Sequence, residues 1–257
     1  MKAVILAGGF GTRISEESHL KPKPMVEIGG KPILWHIMKI YSSYGIDDFI
    51  VCLGYKGSLI KEYFQNYSLH NSDVTFDFSR NTIECHQDNS EPWKITLVDT
   101  GLDTGTAGRL SGVRKYLESE EDFCLTYGDG VANVDIPAEI LFHKQNKNAA
   151  TVCAVKPPGR YGLMKLTDHQ VSLFTEKPSD GEEWINGGFF VLNRKIFDFI
   201  STESDSLEMD VLPRLVQANL LGAWKHFGYW QAMDTVRDKK VLELAWLENS
   251  PPWKLWR

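Results

Sequence analysis

The chain has 257 residues, 42% of them hydrophobic and 24% charged, enough for a large domain with a sizeable core. Its 21 glycines and 11 prolines stand in no low-complexity tract, which excludes collagenous, disordered and repeat classes. The 28 Lys plus Arg against 34 Asp plus Glu leave a net charge of -6, and no basic stripe tracks a phosphate backbone, so no nucleic-acid polymer is expected as a partner.

Residues 3–6 are a short apolar run closed by Gly8 and Gly9, the pattern of a buried parallel strand. Leu34, Ile37, Met38 and Tyr41 follow the i, i+3, i+4, i+7 spacing of a helix face, with Gly45 closing it. Residues 49–53 read as a second buried strand, and Leu59, Ile60, Tyr63 and Phe64 line a second short helix. In residues 73–99, Val74, Phe76 and Phe78 alternate with polar neighbours, predicting exposed β-structure. A helix carrying Leu110, Val113 and Leu117 comes next, then a strand at 123–127 ending in Gly128-Asp129-Gly130. Asp135 caps a helix with Pro137 in its first turn, and residues 151–155 add a strand.

This alternation predicts an α/β fold: a Rossmann-like, mostly parallel open sheet flanked by helices. Beyond residue 156 the pattern changes. Short strands near 162–167, 171–175 and 187–192, helices near 194–201 and 206–219, a strand at 221–229 and a final helix from Thr235 through Leu247 predict a small β-rich part and C-terminal helices. No linker forces a boundary, so one domain is expected, with an aromatic tail, Pro251 to Arg257, that packs back on it or meets another subunit.

Cys52, Cys124 and Cys153 sit in apolar runs, as core thiols do, and none of the four cysteines forms a CxxC pair. The opening MKAVILAGG is too short for a signal h-region, and no run approaches the roughly 20 apolar residues of a membrane helix. A cytoplasmic protein without a membrane partner is expected. None of the seven histidines has a carboxylate or cysteine at ligand spacing, and none is assigned a role.

The segment Leu6-Ala7-Gly8-Gly9-Phe10-Gly11-Thr12-Arg13 puts three glycines and an arginine directly after the first strand, at the carboxyl edge where open α/β sheets bind ligands. Such a loop lets backbone N–H groups approach an anion. It is neither GxGxxG, since Ile14 stands where the third glycine belongs, nor a Walker loop, since no lysine follows at the required place. The missing glycine, and Gly54-Tyr55 where an acidic residue would close the second strand, also count against a dehydrogenase. Lys21-Pro22-Lys23-Pro24-Met25 then carries two lysines on a stiffened segment.

Together these two segments resemble the signature of the sugar-1-phosphate nucleotidyltransferase family, LAGGxGTR followed by KPKPM. Spaced points along nearly the whole chain extend the resemblance: the run from Asp103 through Gly108, Gly128-Asp129-Gly130, Glu176-Lys177-Pro178, Asn186-Gly187-Gly188-Phe189 and Asp234. The opening MKAVILAGGFGTRISEES, the block LKPKPMVEIGGKPILWHIMKIY and the ending YWQAMDT look most like members that use CTP and glucose 1-phosphate and feed O-antigen deoxysugar synthesis. Members using dTTP or UTP, and a non-catalytic nucleotide-sugar sensor, remain as alternatives.

The chemistry so implied joins two polyanions. A sugar-phosphate oxygen attacks the α-phosphorus of a nucleoside triphosphate and pyrophosphate leaves in line. The attacking oxygen is already an anion, so no general base is needed, and catalysis rests on positioning and cations. The resemblance implies Arg13 and Lys23 as catalytic cations near the triphosphate. It implies Leu6, Ala7, Gly8, Gly9, Phe10, Gly11, Thr12, Thr104, Arg109 and Gly128 as nucleotide contacts. Lys177, Asn186 and Gly188 would take the sugar phosphate, and Asp129 with Asp234 would hold Mg2+. On local grounds alone Asp129 is a turn aspartate and Asp234 a helix N-terminal acid. The division expected is a nucleotide-binding half at about 1–155, a sugar-phosphate-binding half at about 156–234, and a C-terminal helix and tail at 235–257. Relatives of this kind are commonly oligomeric, so a homo-oligomer is expected.

Overall fold

A computed structural model describes residues 1–12, 19–156, 163–167, 170–175, 184–248 and 251–256. Its core is a seven-stranded sheet of β1 (Ala3–Ala7), β2 (Asp48–Leu53), β3 (Lys94–Asp99), β4 (Asp122–Tyr127), β5 (Ala150–Val155), β6 (Ile185–Asn193) and β7 (Leu221–His226). The spatial order is β7-β5-β6-β4-β1-β2-β3. β6 runs antiparallel to β4 and β5, while the other neighbours pair in parallel.

β1 lies between β2 and β4, with Leu6 opposite both Cys52 and Tyr127. Its five residues are all buried, because both faces of the sheet are covered. Ala3, Ile5 and Ala7 join one apolar cluster with Ile33, Ile37 and Tyr41 of α1 (Ile33–Ser42). Val4 and Leu6 join a second, with Ala107 and Leu110 of a later helix, Thr106–Gly112. That alternation is the pleat of a strand, and it explains why β1 reads as continuously hydrophobic.

Between these elements come α2 (Gly57–Gln65), α3 (Thr106–Gly112), α4 (Ile136–Asn146), α5 (Leu212–Gln217) and α6 (Val236–Leu247). Asp135 caps α4 by accepting from the Ala138 amide, as expected, and Thr235 with Asp238 forms a capping box on α6. Gly45 takes φ +75° just beyond α1.

Five expected boundaries shift. The helix expected to carry Leu110, Val113 and Leu117 ends at Gly112, and Leu117 lies in a separate 3-10 turn, Arg114–Leu117. Within 73–99 only the hairpin Ser72–Asp77 with Thr82–Asp88 stands apart; Lys94–Asp99 becomes sheet-edge strand β3, because its backbone pairs along β2. The helix expected at 194–201 is a 3-10 turn, Arg194–Phe199. The helix expected at 206–219 divides into a wide π turn, Leu207–Val211, and α5. The strand expected at 221–229 ends at His226.

The aromatic tail packs on its own chain. Trp253 is fully buried and stacks on Tyr229, with ring centroids 5.7 Å apart. Its Nε1 donates to His36 Nδ1 at 3.4 Å, while His36 Nε2 meets the Ile28 carbonyl at 2.8 Å. Burial lowers the His36 pKa to about 4, so this ring is neutral at physiological pH. Cys52, Cys124 and Cys153 are buried thiols and Cys85 is exposed. Among the described residues no helix is long and apolar enough to cross a membrane.

Candidate active site

β1 and β4 are neighbours whose following segments leave in different directions, making a crevice at their carboxyl ends. A cavity of about 740 Å³ opens there, lined by Leu6 through Thr12, Lys23, Thr104, Arg109, Gly128, Asp129 and Asn186. A second, of about 290 Å³, adjoins it through Asp129 and Asn186 and also takes in Gly188 and Asp234. Of the expected site residues only Arg13 and Lys177 are missing from this gathering, because both lie outside the described residues.

Gly8 shows why the loop needs glycine. A Cβ there would lie 2.2 Å from Arg109 Nη1, inside any tolerable contact. The Arg109 guanidinium is buried and held by oxygens: Nη1 donates to Leu53 O, Thr100 Oγ1 and Gly101 O at 3.1, 2.9 and 2.6 Å, and Nη2 to Leu102 O at 2.9 Å. Arg109 therefore ties the ends of β2 and β3 to the underside of the glycine loop. Thr104 likewise gives its hydroxyl proton to Thr100 O at 2.6 Å.

The centre of the site is Lys23. Pro22 and Pro24 bracket it in a 3-10 turn, closed by Met25 N donating to Pro22 O and Val26 N to Lys23 O. Its ammonium lies 2.7 Å from Asp129 Oδ2 and 2.8 Å from Asp234 Oδ1. Burial alone would lower the Lys23 pKa, but the charge and hydrogen bond of Asp129, then those of Asp234, outweigh it and raise the pKa. Lys23 is charged at neutral pH.

The two acids meet because of six residues. Gly130–Ala132 pairs antiparallel with Trp230–Ala232, and Met233 N donates to Asp129 O at 2.8 Å. Asp234 is then fixed from behind, its amide donating to Asp238 Oδ2 at 3.1 Å within the α6 cap. The pair meets the demands of a small divalent cation. Hard carboxylate oxygens converge on one point, which an ammonium takes here, and the cavity beside them leaves room for phosphate and water oxygens. Among the described residues no cluster of three or more His, Cys, Asp or Glu competes as a metal site.

Two residues of the site have no sequence signal. Tyr127, at the end of β4, and Glu208, on the π turn, both line the larger cavity and are hydrogen-bonded to each other. Tyr127 reads as the last residue of a buried strand and Glu208 as one acid on a helix.

The sequence profile of the nucleotidyl transferase family matches residues 2–238. The glucose-1-phosphate cytidylyltransferase of Salmonella typhimurium is 56% identical over 256 residues, all of either chain. The probable glucose-1-phosphate cytidylyltransferase of Bacillus subtilis is 42% identical over 257 residues, again the whole of both. Among solved structures, HddC from Yersinia pseudotuberculosis matches with a TM-score of 0.68 and 25% identity, over 95% of this chain and 99% of that one. With its sheet, its glycine loop and a match over nearly its whole length, the chain belongs to the nucleotidyl transferase family.

Proposed function

We propose that the enzyme transfers a cytidylyl group from CTP to α-D-glucose 1-phosphate, giving CDP-glucose and pyrophosphate. The observation that carries the choice of substrates is the 56% identity, end to end, to an enzyme named for that reaction.

The residues support a mechanism of positioning. Gly8 through Thr12 line the cavity, and their backbone N–H groups would serve as a cradle for nucleotide and phosphate, stiffened by the Arg109 ties beneath. Lys23 supplies a fixed positive charge to the triphosphate, and Arg13, outside the described residues, is assigned as a second cation. Asn186 and Gly188 take the sugar phosphate on the far side of Asp129, and Lys177, outside the described residues, is assigned to the same phosphate. Residues 1–155 thus serve the nucleotide, residues 156–234 the sugar phosphate, and 235–257 brace both within one domain. The phosphate oxygen of the sugar attacks the α-phosphorus, the bond to the β-phosphate oxygen breaks, and pyrophosphate leaves. The attacking oxygen carries no proton to remove. Asp129 and Asp234 would hold Mg2+, which would supply charge neutralisation at the phosphates.

Arg109, read as a nucleotide contact, lines the larger cavity, and its hydrogen bonds also brace the glycine loop from beneath. The chain is read as a cytoplasmic homo-oligomer; light scattering giving the 29.2 kDa monomer mass at micromolar concentration contradicts the oligomer.

The test is product analysis with glucose 1-phosphate and CTP, UTP, dTTP, ATP or GTP in turn. CTP is expected to give CDP-glucose and pyrophosphate in equal amounts. Faster turnover with dTTP than with CTP contradicts the cytidylyl assignment, and no turnover with any of them favours a nucleotide-sugar sensor.

A further inference from the structure

Glu208 has the wrong sign for its place. It lines the cavity read above as the seat of a triphosphate, yet it keeps its charge. Burial pushes its pKa up, but the hydroxyls of Tyr127, Thr106 and Ser206 more than offset this and leave it below the usual value. It stands on the Leu207–Val211 π turn, a rare conformation that is frequent at functional sites. Both oxygens are engaged: Oε2 accepts from Thr106 Oγ1 at 2.7 Å and Ser206 Oγ at 2.8 Å, and Oε1 from the Tyr127 hydroxyl.

An ionised carboxylate only accepts. Tyr127 must therefore give its single proton to Glu208. The Tyr127 oxygen is left to accept, and it does so from Asn186 Nδ2 at 3.1 Å. This fixes which end of the Asn186 amide is nitrogen. The other end, Oδ1, accepts from the Gly188 amide at 2.8 Å. Gly188 itself sits at φ +79° against the Tyr127 ring, where a Cβ would be 2.7 Å from Cδ2. One charge thus sets the direction of a hydrogen-bonded line from Asn186 through Tyr127 to Glu208, and Asn186 borders both cavities.

We infer that Glu208 is a positioning residue: acting through the Tyr127 hydroxyl, it orients the Asn186 amide toward the sugar phosphate. This rests on the reading of the smaller cavity as the sugar-phosphate side.

Glu208→Gln keeps the shape but exchanges one acceptor oxygen for a donor, so three hydroxyls lose a common acceptor and Tyr127 loses its fixed direction. Tyr127→Phe removes the relay and leaves Glu208 intact. In each variant the KM for glucose 1-phosphate is expected to rise about tenfold, the worth of one hydrogen bond, with the KM for CTP within about twofold. Because both act along one line, the double variant should be no worse than the worse single variant. An unchanged KM for glucose 1-phosphate in both variants overturns the inference while leaving the proposed reaction standing. So does a rise in both KM values together with a lowered Tm, the mark of a merely structural role. Calorimetric titration of the wild type with glucose 1-phosphate, alone and with CTP, separates the remaining case. A wild type that neither binds nor turns over the sugar phosphate sinks the proposed function and this inference with it.

Discussion

Lys23 Nζ donates to Asp129 Oδ2 at 2.7 Å across 106 residues of chain, so the stiffened basic segment and the end of β4 are one electrostatic unit. Asp234 completes it. Lys23→Met removes the only cation this triad contains. At an effective dielectric near 20, a unit pair at about 4 Å is worth roughly 4 kcal/mol, so kcat/KM is expected to fall on the order of several hundredfold. The variant also leaves two facing carboxylates uncompensated, so its Tm should rise more steeply with added Mg2+ than that of the wild type. Parallel Tm curves and near-normal rates contradict both roles of Lys23.

Asp129→Asn and Asp234→Asn are each expected to lower kcat at least about tenfold with the circular dichroism spectrum unchanged. Direct Mn2+ binding in the presence of CTP, read by electron paramagnetic resonance, should weaken in the same variants. Normal rates and normal Mn2+ affinity in both would remove the metal assignment.

Arg109→Lys separates a brace from a ligand. An ammonium cannot reproduce contacts spread over two guanidinium nitrogens, so the brace predicts a lowered Tm together with a raised KM for CTP. A loss of kcat at unchanged Tm would instead make Arg109 a group that touches the reacting phosphates.

Glu139 gives stability a pH dependence of its own. It is buried on α4, its Oε1 finds no partner among the described residues, and burial raises its pKa to about 8. In the unfolded chain it titrates near 4.5. Below that pH both states are protonated and nothing is lost. Between 4.5 and 8 the folded state holds a proton that the unfolded state has given up, so stability falls as pH rises, by about 1.4 kcal/mol per unit, and levels off above 8. Glu139→Gln should therefore be more stable than the wild type by a margin that grows from pH 5 to pH 8 in urea denaturation. A margin that stays constant over that range contradicts the assignment.

What the sequence reveals is mostly what contiguous residues can carry. β1, its glycine turn and the KPKPM segment are local, and their hydrophobic run, glycines and prolines each have a direct physical reading. The Asp135 cap of α4 was legible for the same reason, whereas the Thr235–Asp238 capping box of α6 was not anticipated. The meeting of Asp129 with Asp234 was not, since it depends on a ribbon of three residues a side between segments about a hundred residues apart; only family resemblance suggested it. Tyr127 and Glu208 were hidden because a strand-end tyrosine and a helical acid are ordinary. The π turn that aims Glu208 at the cavity has no periodicity distinct from a helix. Arg109 shows a second role that the sequence does not reveal: beside lining the cavity, it is tied to backbone carbonyls at the ends of β2 and β3.

The central claim is that the crevice between β1 and β4 holds the triphosphate of CTP between the glycine loop and the Lys23–Asp129–Asp234 triad. A crystal structure with CTP, Mg2+ and glucose 1-phosphate tests it most directly. The phosphates are expected along Gly8 through Thr12, the metal on Asp129 and Asp234, and Lys23 against a phosphate oxygen. A triphosphate bound elsewhere, with Lys23 still paired to both acids, would contradict it.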